Sequence, residues 1–129
     1  MKKSFLFLFL SIAALTTSCS DDDDKGSVSS KSRDIKYEIT GNFSGDLDIT
    51  YITASGGATN AEATSLPWEM SFTADSDSHG ATFNASGIGG NPGEKIRLNI
   101  YQGGKVSKYI DATADSDGDI VAVAPTVTF

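Results

Sequence analysis

Cysteine, histidine and proline are scarce in this chain of 129 residues, which has one cysteine, one histidine and three prolines. A single cysteine permits no internal disulfide and no zinc site built from cysteines. Basic residues are also few, 10 against 17 acidic ones. Phosphate binding needs clustered lysine and arginine, so the composition argues against a nucleic-acid partner. The apolar run from Phe5 to Leu15 is too short to span a bilayer as a helix.

The N-terminus has the three parts of a secretory signal, because a basic start is followed by that apolar run and then by small polar residues. The segment Leu15-Thr16-Thr17-Ser18-Cys19 resembles the lipobox of bacterial lipoproteins. The resemblance implies that residues 1–18 are a signal peptide, and that Cys19 is lipidated and becomes the new N-terminus. The mature chain then has 111 residues, 8 basic and 17 acidic, with a formal charge of −9, which is the size of one small domain.

Residues 19–33 have little to bury. Four adjacent aspartates, Asp21 to Asp24, repel one another, and a Gly/Ser-rich stretch follows them. We therefore predict a solvated tether between the lipid and the domain. An acidic run directly behind a lipidated cysteine also resembles the surface-export signal of Bacteroidetes lipoproteins, which implies a lipid-anchored position on the outer membrane, facing the outside of the cell. The alternative is a plain spacer.

From residue 34 to residue 129 apolar and polar residues alternate with a period of two, and turn-forming residues interrupt the alternation. This pattern predicts a single all-β domain, an antiparallel sandwich of about seven short strands without a helix. The inward-facing residues are predicted to include Tyr37, Ile39, Leu47, Ile49, Trp68, Phe72, Phe83, Ile96, Leu98, Ile100 and Ile110.

Turn residues predict how three of the strands are connected. Gly103-Gly104 lies between two alternating runs and tolerates the positive φ of a tight turn, so the flanking strands should pair antiparallel. Asp117-Gly118 predicts a second turn of this kind, which would place Ile96 to Phe129 in one three-stranded meander. Pro67 removes a ladder donor and should mark the start of an edge strand at Trp68.

Several segments, in order and spacing, resemble the extracytoplasmic domain of the MmpS-type small membrane proteins over residues 34–124. They are Tyr37-Glu38-Ile39-Thr40-Gly41, Asp48-Ile49-Thr50-Tyr51, Leu66-Pro67-Trp68, Phe72 and Ile100-Tyr101-Gln102-Gly103-Gly104-Lys105-Val106. The resemblance implies an immunoglobulin-like β-sandwich outside the cytoplasm, which in mycobacteria assists MmpL-type exporters. The lipid anchor departs from the family, whose anchor is a transmembrane helix, so the fold carries over better than the partner.

Catalytic groups are not apparent, and we predict that the chain is not an enzyme. The one histidine, His79, lies in a loop-like stretch with Ser76 and Ser78. Neighbours in such a loop do not supply the oriented base and oxyanion donors that acyl transfer requires. A solvated turn explains His79 better.

A calcium site is the one cofactor that the sequence suggests. Asp115, Asp117 and Asp119 alternate in a glycine-containing turn, where their carboxylates could supply oxygen ligands to a structural Ca²⁺. The downstream glutamate of a full calcium loop is absent, and a hydrated hairpin turn is the favoured alternative.

Two functional classes remain open. The first is a lipid-anchored, non-enzymatic, MmpS-like accessory module whose strand edges or loops engage a membrane transport complex. The second is a surface module that binds a glycan or host molecule through Tyr101 and Tyr109, which should face opposite to Ile100 and Ile110. Ordinary cross-strand pairing on the solvent face also accounts for these tyrosines.

Overall fold

The computed structural model describes residues 30–129, which form ten β-strands and no helix. The strands are β1 (Asp34–Gly41), β2 (Asp46–Ile52), β3 (Ala58–Ala63), β4 (Trp68–Thr73), β5 (Gly80–Ala81), β6 (Phe83–Ile88), β7 (Lys95–Gln102), β8 (Lys105–Thr113), β9 (Ile120–Val123) and β10 (Val127–Thr128). The predicted signal peptide, Cys19 and the greater part of the tether lie outside the described residues. Within residues 30–129, no helix long and apolar enough to cross a membrane is found.

The strands form two four-stranded sheets and one small one, and every pairing is antiparallel. Sheet A has the order β4-β1-β7-β8, and sheet B has the order β3-β2-β6-β9. β5 and β10 pair as a two-stranded sheet at the end of the domain where the tether enters. The predicted all-β sandwich is confirmed.

The core lies between sheets A and B and contains the inward residues of alternating strands. Tyr37 at its centre stacks on Phe83, with ring centroids 4.7 Å apart, and donates a hydrogen bond of 2.9 Å from its hydroxyl to the Ile52 carbonyl. This bond joins β1 of one sheet to β2 of the other. Eight of the eleven predicted core residues are fully buried, and Trp68, Phe72 and Ile110 pack against the core while partly exposed.

The hairpin predicted at Gly103-Gly104 is confirmed. β7 and β8 pair antiparallel around it, and the two glycines have φ of 61° and 81°, as a tight hairpin turn of this hand requires. Trp68, directly after Pro67, begins β4, which is an edge strand of sheet A, as predicted.

The predicted three-stranded meander is wrong. The chain leaves β8 at the edge of sheet A and crosses to sheet B, where β9 pairs with β6. The turn at Asp117-Gly118 is wider than a two-residue hairpin, because Asp115 N–H donates to the Asp119 carbonyl across it. Gly90 N–H donates to the Gly118 carbonyl and ties this crossing to the β6–β7 loop.

Three strands more than predicted are present. β3 was not recognised, because its sequence has only small or polar residues and offers no large apolar residue to mark an inward face. The alternation of Ala81, Phe83 and Ala85 predicts one strand, but the structure has two, β5 and β6, separated at Thr82, whose hydroxyl donates to the Ala124 carbonyl. The last predicted strand is likewise divided into β9 and β10 around Pro125.

Candidate functional site

Tyr101 and Tyr109 lie on the same outer surface of sheet A. Their neighbours Ile100 and Ile110 point to the core, so strand alternation turns both tyrosines outward. Tyr109 is 56% exposed and stands opposite Asn99 on β7. We call this surface the tyrosine face; it consists of Lys36, Glu38, Arg97, Asn99, Tyr101, Tyr109 and Asp111.

Tyr101 is held by a hydrogen-bonded cluster around Glu38. The Tyr101 hydroxyl donates to Glu38 Oε1 at 3.0 Å, and Asn99 Nδ2 donates to the same oxygen at 2.9 Å. Lys36 Nζ lies 3.5 Å from Glu38 Oε2 and 4.1 Å from the centroid of the Tyr101 ring. The ring is therefore fixed by its hydroxyl and covered on one side by a cation.

The same contacts set the charges of the cluster. Desolvation acts to raise the pKa of Glu38, but the hydrogen bonds from Tyr101 and Asn99 and the Lys36 charge outweigh it, and the pKa is lowered. The hydrogen bond to Glu38 raises the pKa of Tyr101. At neutral pH the carboxylate is ionised and the phenol is neutral.

Tyr109 has a similar arrangement one row along the sheet. Arg97 and Asp111 form a bidentate pair, with Nε to Oδ1 at 2.6 Å and Nη2 to Oδ2 at 2.8 Å. The Arg97 guanidinium lies 4.8 Å from the centroid of the Tyr109 ring. The hydrogen bonds from Arg97 lower the pKa of Asp111, so this pair is charged at neutral pH. Each tyrosine thus has a cation held beside it by a carboxylate.

A depression of about 410 Å³ opens beside Tyr101, where β4, β1 and the β7–β8 turn meet. Its polar lining includes Asp34, Lys36, Ser71 and Thr73. The Thr73 hydroxyl donates to Asp34 Oδ1 at 2.7 Å. An aromatic ring, an ammonium, a carboxylate and two hydroxyls thus surround one concave patch, and they can contact an apolar ring face and hydrogen-bond to polar groups at its edge.

The three aspartates proposed for calcium do not form a metal site. In residues 30–129, no group of three or more histidine, cysteine, aspartate and glutamate side chains that could hold a metal ion is present. Asp115 Oδ1 instead accepts the N–H groups of Asp117 and Asp119, at 2.9 and 3.0 Å. The carboxylate therefore stabilises its own turn, as aspartate does in Asx turns.

Ser78 and His79 do not form a nucleophile and base. Ser78 is buried, and its Oγ has no hydrogen-bond partner among the residues that the structure describes. His79 is exposed in the loop before β5. Without a hydrogen bond between the hydroxyl and the imidazole, this loop lacks the contact that activates a serine.

The charged partners of the tyrosines were not recognised in the sequence. Lys36, Glu38, Arg97 and Asp111 occupy outward positions of alternating strands, which is the ordinary place for a charge. Their significance depends on the register of β1, β7 and β8, which brings distant residues side by side. The alternation along β1 predicts that Lys36 and Glu38 face outward, but the sequence does not predict that β1 pairs with β7.

No protein-family model, curated protein or solved structure matches the chain.

Proposed function

We propose that the mature chain is a lipid-anchored, non-enzymatic binding module of the cell envelope, and that the tyrosine face binds a glycan. The observation that carries this proposal is the placement of Tyr101 and Tyr109 on one outer face, each beside a cation held by a carboxylate. A sugar ring has an apolar C–H face and hydroxyls around its edge, and this face of the protein offers a partner to both.

Preorganisation supports the proposal. Glu38 is held by Asn99 and Tyr101, and Asp111 by Arg97, so few rotamers remain to be ordered when a ligand binds. The depression beside Tyr101 adds a concave surface at one end of the face. A lipid on Cys19 and an acidic tether would place this module on the outer membrane, facing outward.

The proposal is tested by screening the mature protein against a glycan array and measuring affinity for the best ligand by calorimetry. Tyr101→Ala and Tyr109→Ala should each weaken binding about tenfold or more, because an aromatic contact at the centre of an interface contributes over about 1.4 kcal/mol. Glu62→Ala, at an exposed residue on the outer face of sheet B, is the matched control and should bind normally.

Unfolding of each variant by urea separates lost contact from lost stability. An affinity that stays unchanged in the Tyr101→Ala/Tyr109→Ala double variant, while the fold is intact, would remove the tyrosine face from consideration. If the native protein binds no glycan on the array, the proposal that the ligand is a glycan is wrong.

A second candidate is an accessory module for a membrane transport complex. It is favoured by the MmpS-like segments, which fall on β1, β2, the start of β4 and the β7–β8 hairpin. The tagged protein should then be crosslinked in cells and captured, and mass spectrometry should identify a large exporter bound to it. The captured protein should also be resistant to protease added to intact cells. Complete shaving without a captured transporter would support the surface-binding role instead.

A further inference from the structure

β9 differs from the other edge strands of the two large sheets. Its sequence, Ile-Val-Ala-Val, contains no charge, and it exposes Val121 (68%) and Val123 (60%) beside Ile88 (72%) on β6. The other three edges, β3, β4 and β8, each carry at least one charged residue. Charged side chains on an edge strand discourage pairing with another chain, so β9 is the edge that lacks this protection.

The open side of β9 presents the backbone groups of its two valines. Ala124 N–H donates to the Phe83 carbonyl at 3.0 Å, which fixes the phase of the ladder between β9 and β6. Alternate residues of an antiparallel strand point their backbone groups to opposite sides. Ile120 and Ala122 therefore face β6, and the N–H and C=O groups of Val121 and Val123 point away from the sheet.

We propose that β9 pairs antiparallel with β9 of a second copy of this chain, around a two-fold axis that passes beside Ala122. In this register each Val121 stands opposite the partner's Val123, and the two valine pairs exchange four backbone hydrogen bonds. The paired segments contain no charged side chain. Four valines then cover one another on the outer face of the joined sheet, with Ile88 of each copy beside them.

A second copy fits this edge better than an unrelated peptide, because the exposed side chains and backbone groups of β9 are arranged symmetrically about Ala122. Outward valines and outward backbone groups occur at equal distances on both sides of Ala122, as a two-fold pairing requires. Four paired residues bury far less than the roughly 800 Å² per partner of a standard interface, so the association is weak in dilute solution. Lipid anchoring, which the proposed function includes, holds copies in one plane and raises their effective concentration.

The tether length is compatible with this arrangement. Antiparallel pairing directs the tether ends of the two copies in opposite directions along the strands. The twelve residues from Cys19 to Ser30 span at most about 40 Å, enough for both lipids to reach one membrane when the sheets lie along it. The two-fold axis is perpendicular to the joined sheet, so both tyrosine faces point to the same side.

Disulfide trapping of the mature lipidated protein in vesicles tests the pairing and its register. In a Val121→Cys/Val123→Cys double variant, opposed residues have Cα atoms about 5.5 Å apart, within the range of a disulfide. Mild oxidation should produce a covalent dimer on a non-reducing gel. Each single variant should give none, because identical positions are then separated by two residues along the strands.

An Asn60→Cys/Glu62→Cys variant on β3, the opposite edge of the same sheet, is the matched control and should remain monomeric. Dimer yields no higher for the β9 pair than for this control, or equal yields from the single variants, would overturn the proposal. Flotation of the vesicles reports the anchor separately. If the protein does not float, the anchor is wrong, and trapping at high protein concentration in solution still decides whether β9 pairs.

A measurement without crosslinking tests whether the copies also associate when no disulfide holds them together. Two-colour single-molecule tracking on a supported bilayer should show native copies diffusing together. Val123→Lys should abolish this co-diffusion, whereas Val106→Lys, at a similarly exposed valine on edge strand β8, should preserve it. Equal behaviour of the two lysine variants would contradict pairing through β9.

Discussion

Gly118 and Gly104 form a matched pair for measuring how tightly the crossing between the sheets is packed. Both have φ of +81°, so alanine suffers the same backbone strain at either position. A Cβ at Gly104 would have no atom within 4 Å, whereas a Cβ at Gly118 would lie 2.1 Å from the Gly90 carbonyl oxygen. The two substitutions differ in that overlap and in little else.

The expected cost follows from these contacts. Left-handed backbone costs an alanine about 1–2 kcal/mol, and the reduced entropy of the unfolded chain returns about 0.4–1 kcal/mol. Gly104→Ala should therefore lower the free energy of unfolding by about 1 kcal/mol. At Gly118 the overlap adds about 1–3 kcal/mol, because the turn must move away from Gly90 and weaken the 3.1 Å bond between Gly90 N–H and the Gly118 carbonyl. Gly118→Ala should lose about 2–4 kcal/mol.

Urea unfolding followed by the fluorescence of Trp68, the one tryptophan, measures both values. The slope of the transition should stay the same in the two variants, since the surface exposed on unfolding is unchanged. Equal losses for Gly118→Ala and Gly104→Ala would refute the close approach of the crossing to the β6–β7 loop.

Three further outcomes are expected. Hydrogen bonds from Asn91 and Ser44 lower the pKa of Glu94 to about 2, below its ordinary value of 4.5. The ionised Glu94 therefore stabilises the fold fully above pH 4.5, and this stabilisation is lost as the pH falls toward 2. Glu94→Gln should make the free energy of unfolding less dependent on pH between those two values. Burial raises the pKa of Tyr37 above its ordinary value of 10, so stability should fall as pH rises above about 10. Tyr37→Phe should reduce that fall and leave the contribution of Tyr101, whose pKa is also raised. The same variant should cost about 1 kcal/mol at neutral pH by urea unfolding, through loss of the bond to the Ile52 carbonyl. Cys19→Ala should leave the thermal unfolding curve unchanged and move the protein from the membrane pellet to the supernatant on fractionation; retention in the pellet would contradict the lipid anchor.

The strands with large inward residues were predictable because their apolar positions recur every second residue. Ile35, Tyr37 and Ile39 define the buried face of β1 without any knowledge of its partners. β3 escaped detection, since Ala61 and Ala63 bury too little surface to stand out from the polar residues around them. A strand can be recruited by its neighbours rather than by its own composition.

The connection between the sheets was not predictable from turn chemistry alone. Asp-Gly pairs occur in tight hairpins and also in wider turns, and the choice here depends on Gly90, which is distant in sequence. For the same reason the candidate site was only partly predictable. The alternation of apolar and polar residues placed Tyr101 and Tyr109 on the outside of the sheet, but their contacts with Lys36 and Arg97 depend on the strand register.

The position of β1 in sheet A determines when the domain can fold. β1 is the first strand in the chain, yet it lies between β4 and β7. The β1–β7 ladder is therefore complete only when Gln102 is available to pair with Ile35. Sheet B likewise requires β9 beside β6. Pairings this far apart in sequence make folding slow, on the scale of milliseconds to seconds. Sheet A cannot be complete until Thr113, at the end of β8, has left the ribosome, and sheet B cannot be complete until Val123 has done so. Before that, the apolar stripe of β1 is exposed to chaperones and to other unfolded chains.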